Sequence, residues 1–250
     1  NRIRTTNQHI GGLERTGAGT GFWVSLRREK TTVPAFVTNR HNLDPEMQWP
    51  GQELKLIESK IELRKQTADD ELQSETSWIS IPTKTWRLHP EADCAAVIDP
   101  DFAEQQQGFL PIITSYIRIA TQFELENIVF VMDLASFVGF PGNKKGMPWW
   151  DTFWTLPIAR LATLASPPSM PFTNPHINKL GNVGLVSGLS FNGSSGSPLL
   201  PHNIPSQNTS MIIGIMSGHF SETEPEIFRH SGLSYYTRSP AIREVLGLVP

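Results

Sequence analysis

The chain has 250 residues, 38% of them apolar, with a formal net charge of −3 and one cysteine, Cys94. That length buries a sizeable core as one large or two small domains, and the charge gives no reason to expect nucleic acid or an anionic membrane as partner. No apolar stretch approaches the ~20 residues needed to span a bilayer. In chain order, Gly21–Leu26 and Val33–Thr38 read as a hairpin leading to His41, with Arg27-Arg28-Glu29-Lys30 as its solvated tip. Leu54–Ile57 and Ile61–Leu63 alternate partly within a charged stretch and read as an exposed hairpin. Trp78–Ile81 and Ala95–Ile98 complete the first set of strands, and Asp99–Gln107 is polar and turn-rich. The crossover to the second half is placed around Ile113–Gln122. Further strands are read at Asn127–Val131, Ser136–Pro141, Leu156–Leu164, Val183–Phe191, Ser197–Leu200 and Met211–Ser217. This density of short strands, with 20 prolines and 19 glycines and no helix-period stretches between, points to all-β barrels. The ending differs. Ser239-Pro240 followed by Ile242, Val245 and Leu246 predicts a closing helix over 239–248, capped by Ser239 with proline at its first position.

Three residues carry chemistry. Ser195 lies in the run Gly193-Ser194-Ser195-Gly196-Ser197-Pro198, flanked by segments of strand character, which favours a structured turn over a flexible linker. His41 ends the apolar, β-branched run Ala35–Thr38 plus Asn39 and Arg40, and Asp93 immediately precedes a small apolar strand. A serine hydroxyl is a poor nucleophile until a neutral imidazole accepts its proton, and a carboxylate fixes the imidazole tautomer and stabilises the imidazolium. His89 competes for the histidine role, but it lacks a preceding strand and is followed by Pro90, so a turn is expected there. A G-x-S-x-G elbow is excluded by Ser197 and by the order of the three residues, with serine last.

These residues, in this order, resemble the triad of the trypsin-like, chymotrypsin-fold serine peptidases. Gly19-Thr20-Gly21-Phe22 and Val138-Gly139-Phe140-Pro141 resemble strands of the bacterial branch that includes the high-temperature-requirement proteases, and Gly214-Ile215-Met216-Ser217-Gly218 resembles the strand that forms one wall of the substrate cleft. Leu156-Pro157-Ile158-Ala159-Arg160 looks like a segment common in bacterial trypsin-like peptidases, and Gly232–Arg238 resembles the family's last strand. The resemblance implies two six-stranded antiparallel β-barrels with a short C-terminal helix. Residues 1–118 would form the N-terminal barrel carrying His41 and Asp93, and residues 119–250 the C-terminal barrel carrying Ser195. It implies a serine endopeptidase acting on peptides or proteins through an acyl-enzyme, with Gly193 and Ser195 N–H groups as the oxyanion hole and no metal or organic cofactor. The alternative is a catalytically silent or partner-activated peptide-binding module on the same barrels.

The resemblance also places Leu189 at the base of the primary specificity pocket, walled by Ser217, Gly218 and His219. Leucine offers no partner for a substrate cation, so an apolar side chain is expected before the scissile bond, whereas His219 would favour acidic or amide side chains. Ser217 is expected to reach the Asp93 carboxylate, or else to pair with backbone. Trp149, Trp150 and Trp154, in an insertion-like stretch over 142–154, either line a substrate groove or pin the loop to the barrel. With Cys94 alone, no internal disulfide forms, which fits a bacterial or cytoplasmic protein rather than a secreted animal enzyme. Cys94 is expected to pack as a small buried hydrophobe. The start at Asn1 is read as a processed or trimmed form without an Ile-Val-Gly-Gly-type start.

Overall fold

The computed structural model describes residues 1–9, 14–28, 31–66, 72–98, 109–110, 118–143, 147–174, 181–202, 211–224 and 227–249. The first half holds β1 (Arg2–His9), β2 (Glu14–Thr20), β3 (Phe22–Arg28), β4 (Thr31–Thr38), β5 (Leu54–Gln66), β6 (Leu72–Ile81), β7 (Arg87–Leu88), β8 (Ala95–Ile98) and β9 (Phe109–Leu110). A short helix, α1 (Pro45–Gln48), follows His41 and is capped by the Asp44 side chain, which accepts from the Glu46 N–H. Two antiparallel sheets form, one ordered β2-β1-β5-β6 with β9 added on β5, the other β3-β4-β8-β7.

Period-two alternation explains how they pack. Trp23, Phe36, Ala95 and Val97 face one way and share a core with Ile3, Ile61, Leu63 and Ile79 of the other sheet. Val24, Ala35, Val37 and Ala96 face the opposite way, toward the C-terminal helix. β4 is therefore buried on both faces, which is why it reads as an unbroken apolar run. Phe36 is fully buried and edge-on to Trp23 at 5.1 Å and Trp86 at 6.3 Å. Its loss to alanine would cost about 3–5 kcal/mol.

The second half begins with β10 (Arg118–Ile119), which pairs in parallel with β15 (Met211–Ile212). β11 (Leu134–Gly139), β12 (Ile158–Leu164), β13 (Val183–Ser187), β14 (Pro198–Pro201), β16 (Gly214–Glu224) and β17 (Ile227–Arg238) close a barrel in the order β11-β12-β13-β17-β16-β14. Phe137, Leu164, Val186, Leu199, Met216 and Tyr236 fill it. The architecture is the all-β one expected of a chymotrypsin-like double barrel, the second barrel closed and the first made of two sheets around a shared core.

Three local expectations change. Residues 54–66 form one long strand, not an exposed hairpin, and Ile61 and Leu63 are wholly buried because β1 and β6 flank β5 on either side. Residues 127–131 form no strand. Instead α2 (Gln122–Asn127) ends there, started by a capping box between Thr121 and Glu124 that outweighs the β-branched residues after it. The closing helix α3 (Ser239–Leu246) is capped by Arg238 rather than Ser239, whose hydroxyl is buried without a partner, and Gly247 ends it in the left-handed conformation. The hairpin tip at 29–30, the polar stretch 99–107 and half of the crossover (113–117) lie outside the described residues.

Candidate active site

His41 and Asp93 meet because β4 and β8 are antiparallel neighbours with Thr38 opposite Ala95. The chain leaving Thr38 turns through a 3-10 segment, Arg40–Asn42, alongside the residues entering β8. His41 Nδ1 lies 2.7 Å from Asp93 Oδ2, and the His41 backbone N–H donates to Asp93 Oδ1 at 2.8 Å. Asp93 is 1% exposed. Such a carboxylate is stable in the interior only because both oxygens are engaged. Burial alone would lower the His41 pKa, but the charge of Asp93 and its hydrogen bond outweigh this and raise it above 6.5. With the proton held on Nδ1 by Asp93, the neutral ring presents its lone pair at Nε2.

Sequence reasoning missed the brace behind this pair. Asn39, fully buried, donates from Nδ2 to the Asp93 backbone carbonyl and to Ser217 Oγ, each at 2.8 Å. Thr237 Oγ1 lies 2.9 Å from Ser217 Oγ and donates to the same carbonyl at 3.2 Å. The Ser217 hydroxyl therefore serves Asn39, Thr237 and the Ile215 carbonyl, and the expected contact with the Asp93 carboxylate is not made. The Ser217 hydroxyl is instead turned toward Asn39, Thr237 and the Ile215 carbonyl, while His41 engages one site on each carboxylate oxygen. A short amide side chain between a buried strand and the histidine is the sequence signal that marks Asn39.

Ser195 arrives from the other half on a turn outside any strand. The Ser194 N–H donates to the Phe191 carbonyl and the Ser197 N–H to the Ser194 carbonyl, both at 2.9 Å. Gly193 and Gly196 have φ of 83° and 91°. A Cβ at 196 would run into the Thr20 carbonyl oxygen, and one at 193 into that of Phe140. Only glycine fits either position. The Ser195 carbonyl accepts from Thr20 N–H at 2.8 Å and Asn42 Nδ2 at 3.4 Å, which sets the turn one residue away from His41. The Ser195 hydroxyl itself donates to the Ser217 carbonyl at 3.4 Å. Of the two expected contacts in the triad, the structure makes the His41–Asp93 pair, and no hydrogen bond joins Ser195 Oγ to His41 among the described residues.

The two N–H groups of the expected oxyanion hole donate to no protein acceptor among the described residues. In a trans peptide the carbonyl and N–H point opposite ways. The Asn192 carbonyl accepts from Gly142 N–H at 2.8 Å and the Ser194 carbonyl from Ser197 N–H. The Gly193 and Ser195 N–H groups are thereby turned away from those partners.

Beside Ser195 lies a cavity of about 230 Å³ bordered by Ser190, Met216, Ser217, Gly218, His219 and Tyr235. Leu189 is not part of it: the side chain is 50% exposed on the outside. The neighbouring Ser190 points inward instead, its hydroxyl donating to the Gly218 carbonyl at 3.3 Å and accepting from Ser234 Oγ at 3.0 Å. The buried hydroxyl network with Ser234 and the Gly218 carbonyl holds the serine inward. His219 stacks on His230 with ring centres 4.4 Å apart. Burial lowers the His230 pKa, and the charge of Arg160 lowers it further against a hydrogen bond from Ser190.

The aromatic loop divides its roles. Trp150 is edge-on to Phe140 at 5.5 Å and carries the Arg2 guanidinium over its ring at 4.4 Å, while Trp149 backs the cavity by packing edge-on to Phe191 at 4.9 Å. Trp154 pairs with Phe153, and both rings are exposed. His89 is engaged elsewhere, with Nε2 2.8 Å from Glu244 Oε2 and Nδ1 accepting the Ala92 N–H at 2.9 Å. Cys94 is fully buried, and burial, with the charge of Asp93, pushes its pKa well above 9.0, so it is no thiolate nucleophile.

No family model and no curated protein matches the chain. Among solved structures it resembles the Rv3671c protease in its inactive form, at 14% identity and a TM-score of 0.48, over 98% of this chain and 87% of that one. It also resembles a Tobacco Etch Virus protease mutant, at 14% identity and a TM-score of 0.43, over 95% of this chain and 72% of that one. A third likeness is to the MamO protease domain from Magnetospirillum magneticum in its apo form, at 12% identity and a TM-score of 0.45, over 99% of this chain and 96% of that one. Likenesses of this strength carry no functional argument, so the site's chemistry rests on its own geometry.

Proposed function

We propose that the chain is a serine endopeptidase whose halves, 1–118 and 119–250, each supply part of the triad. The carrying observation is the His41 Nδ1–Asp93 Oδ2 pair at 2.7 Å, with the His41 N–H held by the other carboxylate oxygen, beside a glycine-lined turn bearing Ser195. In this reading Ser195 Oγ leaves the Ser217 carbonyl, gives its proton to His41 Nε2 and attacks the peptide carbonyl. His41 then returns the proton to the leaving amine, Asp93 holds the imidazolium, and water repeats the sequence to release the acyl group. The Gly193 and Ser195 N–H groups receive the oxyanion, a contribution worth on the order of 10²–10³ in rate. Without Leu189 in the pocket, the argument for an apolar substrate residue lapses. Hydroxyls and an imidazole line the cavity and no carboxylate does, which suits an uncharged polar or amide side chain and leaves a lysine or arginine unpaired.

One observation favours a second reading, a binding module that turns over only when a partner or substrate engages it: the Ser195 hydroxyl is directed at the Ser217 carbonyl rather than at His41. Labelling with a serine-reactive phosphonate separates the two. The peptidase reading expects the native chain to be labelled and Ser195→Ala not. A native chain that stays unlabelled in isolation supports the second reading.

A further inference from the structure

The nucleophile turn is tied down by backbone and hydroxyl contacts, with one charged exception. Arg160, on β12 and opposite Phe137 of β11, lays its guanidinium over the Phe137 ring at 4.7 Å and the Phe191 ring at 5.5 Å. Nη2 donates to Ser194 Oγ at 2.6 Å and Nη1 to the Leu189 carbonyl at 3.2 Å. Ser194 is 1% exposed, and its hydroxyl also accepts the Phe191 N–H at 3.1 Å. One planar fork thus joins residues 189, 191 and 194, and a fork fixes orientation as a point charge does not.

Among the described residues no carboxylate pairs with Arg160, and its buried Nε lacks a partner. Burial pulls its pKa down from 12.5 to about 10, which leaves it charged at neutral pH. A half-buried unpaired guanidinium is costly. Packing between two aromatic rings alone would be served as well by methionine or leucine. What those residues lack is the hold on Ser194, which lies between the two residues whose N–H groups form the proposed oxyanion site.

We propose that Arg160 is a positioning residue that clamps Ser194 and so keeps the Gly193 and Ser195 N–H groups converged on the developing oxyanion. The inference rests on the peptidase reading. With the clamp released, Ser194 loses its bond to Arg160 and keeps only the bonds within the turn to Phe191 and Ser197, so the peptides on either side of it are less restrained, while Thr20 and Asn42 still hold the Ser195 carbonyl. Release therefore misaligns donors needed in the transition state and leaves the substrate cavity standing. The positive charge behind the turn also has the right sign for an incipient oxyanion.

Arg160→Met keeps a stem between the two rings and removes the fork. Its kcat on a peptide ester is expected to fall about 10- to 100-fold with KM within about twofold. Arg160→Lys, which restores charge and one donor, should recover part of that loss. Adding Ser194→Ala to Arg160→Met should cost less than Ser194→Ala does alone, because the shared Arg160 contact is already gone and only the Phe191 N–H bond remains to be lost. Hydrogen exchange of peptides covering 189–197 should accelerate in Arg160→Met while those covering 134–139 stay unchanged. A folded Arg160→Met chain with unchanged kcat overturns the inference, as does a loss carried by KM alone. Unchanged exchange over 189–197 overturns the clamp whatever happens to activity. Turnover surviving in Ser195→Ala, or a native chain without turnover, instead defeats the peptidase reading, and exchange then decides the clamp alone.

Discussion

On one side of the cleft, His41 and Asp93 sit at the ends of hydrogen-bonded strands, β4 and β8, and are braced from behind by Asn39, Ser217 and Thr237. On the other, Ser195 sits in a turn that belongs to no ladder, shaped by two left-handed glycines and held by Thr20, Asn42, Met216 and Arg160. The first side already makes its contact at 2.7 Å, whereas the Ser195 hydroxyl makes a long bond to a carbonyl at 3.4 Å. Strand pairing brings the two segments together through many backbone bonds, and the buried brace holds the His41–Asp93 contact from behind. A turn is fixed by a few side-chain contacts made from other parts of the chain, and its chemistry depends on each of them. In the proposed reading this puts the acid–base pair on a rigid scaffold and the nucleophile on an adjustable turn.

The comparison breaks most completely if the chemistry does not need both sides. Ser195→Ala and His41→Ala are each expected to remove turnover by roughly 10⁶, and the double variant should lose little more, since the residues act as a unit. Steady-state rates on one peptide substrate check this, and additive losses would mean that the two sides work separately. Next in size is Gly196→Ala. Its Cβ collides with the Thr20 backbone at a φ of 91°, so the turn must move. Phosphonate labelling should be abolished while the His41 imidazole keeps its Asp93-bonded proton resonance. Loss of that resonance as well would show that the two sides do not form independently.

Asn39→Ala sharpens the comparison from the braced side. It strips two hydrogen bonds from the buried support of Asp93 and should cost about 10- to 100-fold in kcat/KM, comparable with losses at groups that orient a reacting partner. Ser217→Ala should cost less, because its hydroxyl never reaches the carboxylate. The pH profile follows from the same brace. Proton abstraction requires neutral His41, and Asp93 raises the pKa of that ring, so activity should fall as pH drops through a value above 6.5. In Asp93→Asn the raising causes are gone and burial remains, so the acid limb should move to lower pH even as the rate collapses. An acid limb that stays in place would detach His41 from the rate. The smallest effect is expected at Leu189. Leu189→Ala should leave cleavage preference unaltered in a peptide-library profile, whereas Ser190→Leu should change it, because only Ser190 borders the cavity.

Much of this was written in local pattern. The apolar run before His41, the small residues after Asp93 and the glycines around Ser195 each specify a strand or turn within a few residues, and their order along the chain matched one set of roles. The all-β class and the closing helix followed from the same short-range periodicity. Burial of residues 61 and 63 was not legible, because charged neighbours mask a strand that gains flanking strands from both β1 and β6. Nor was the helix at 122–127, where one capping box outweighs the β-branched residues after it.

What the tertiary structure alone decided lies in contacts between distant residues. Asn39 meets Ser217 across 178 residues, and Arg160 meets Ser194 only once β12 has closed into the barrel. Ser190 turns inward and Leu189 outward because Ser234 and the Gly218 carbonyl, brought from distant parts of the chain, hold the Ser190 hydroxyl. Periodicity and turn chemistry act through neighbours in the chain, so the sequence determined which residues form strands and turns. Which side chains then share a hydrogen bond depends on strand register and barrel closure, and those exist only in the folded molecule.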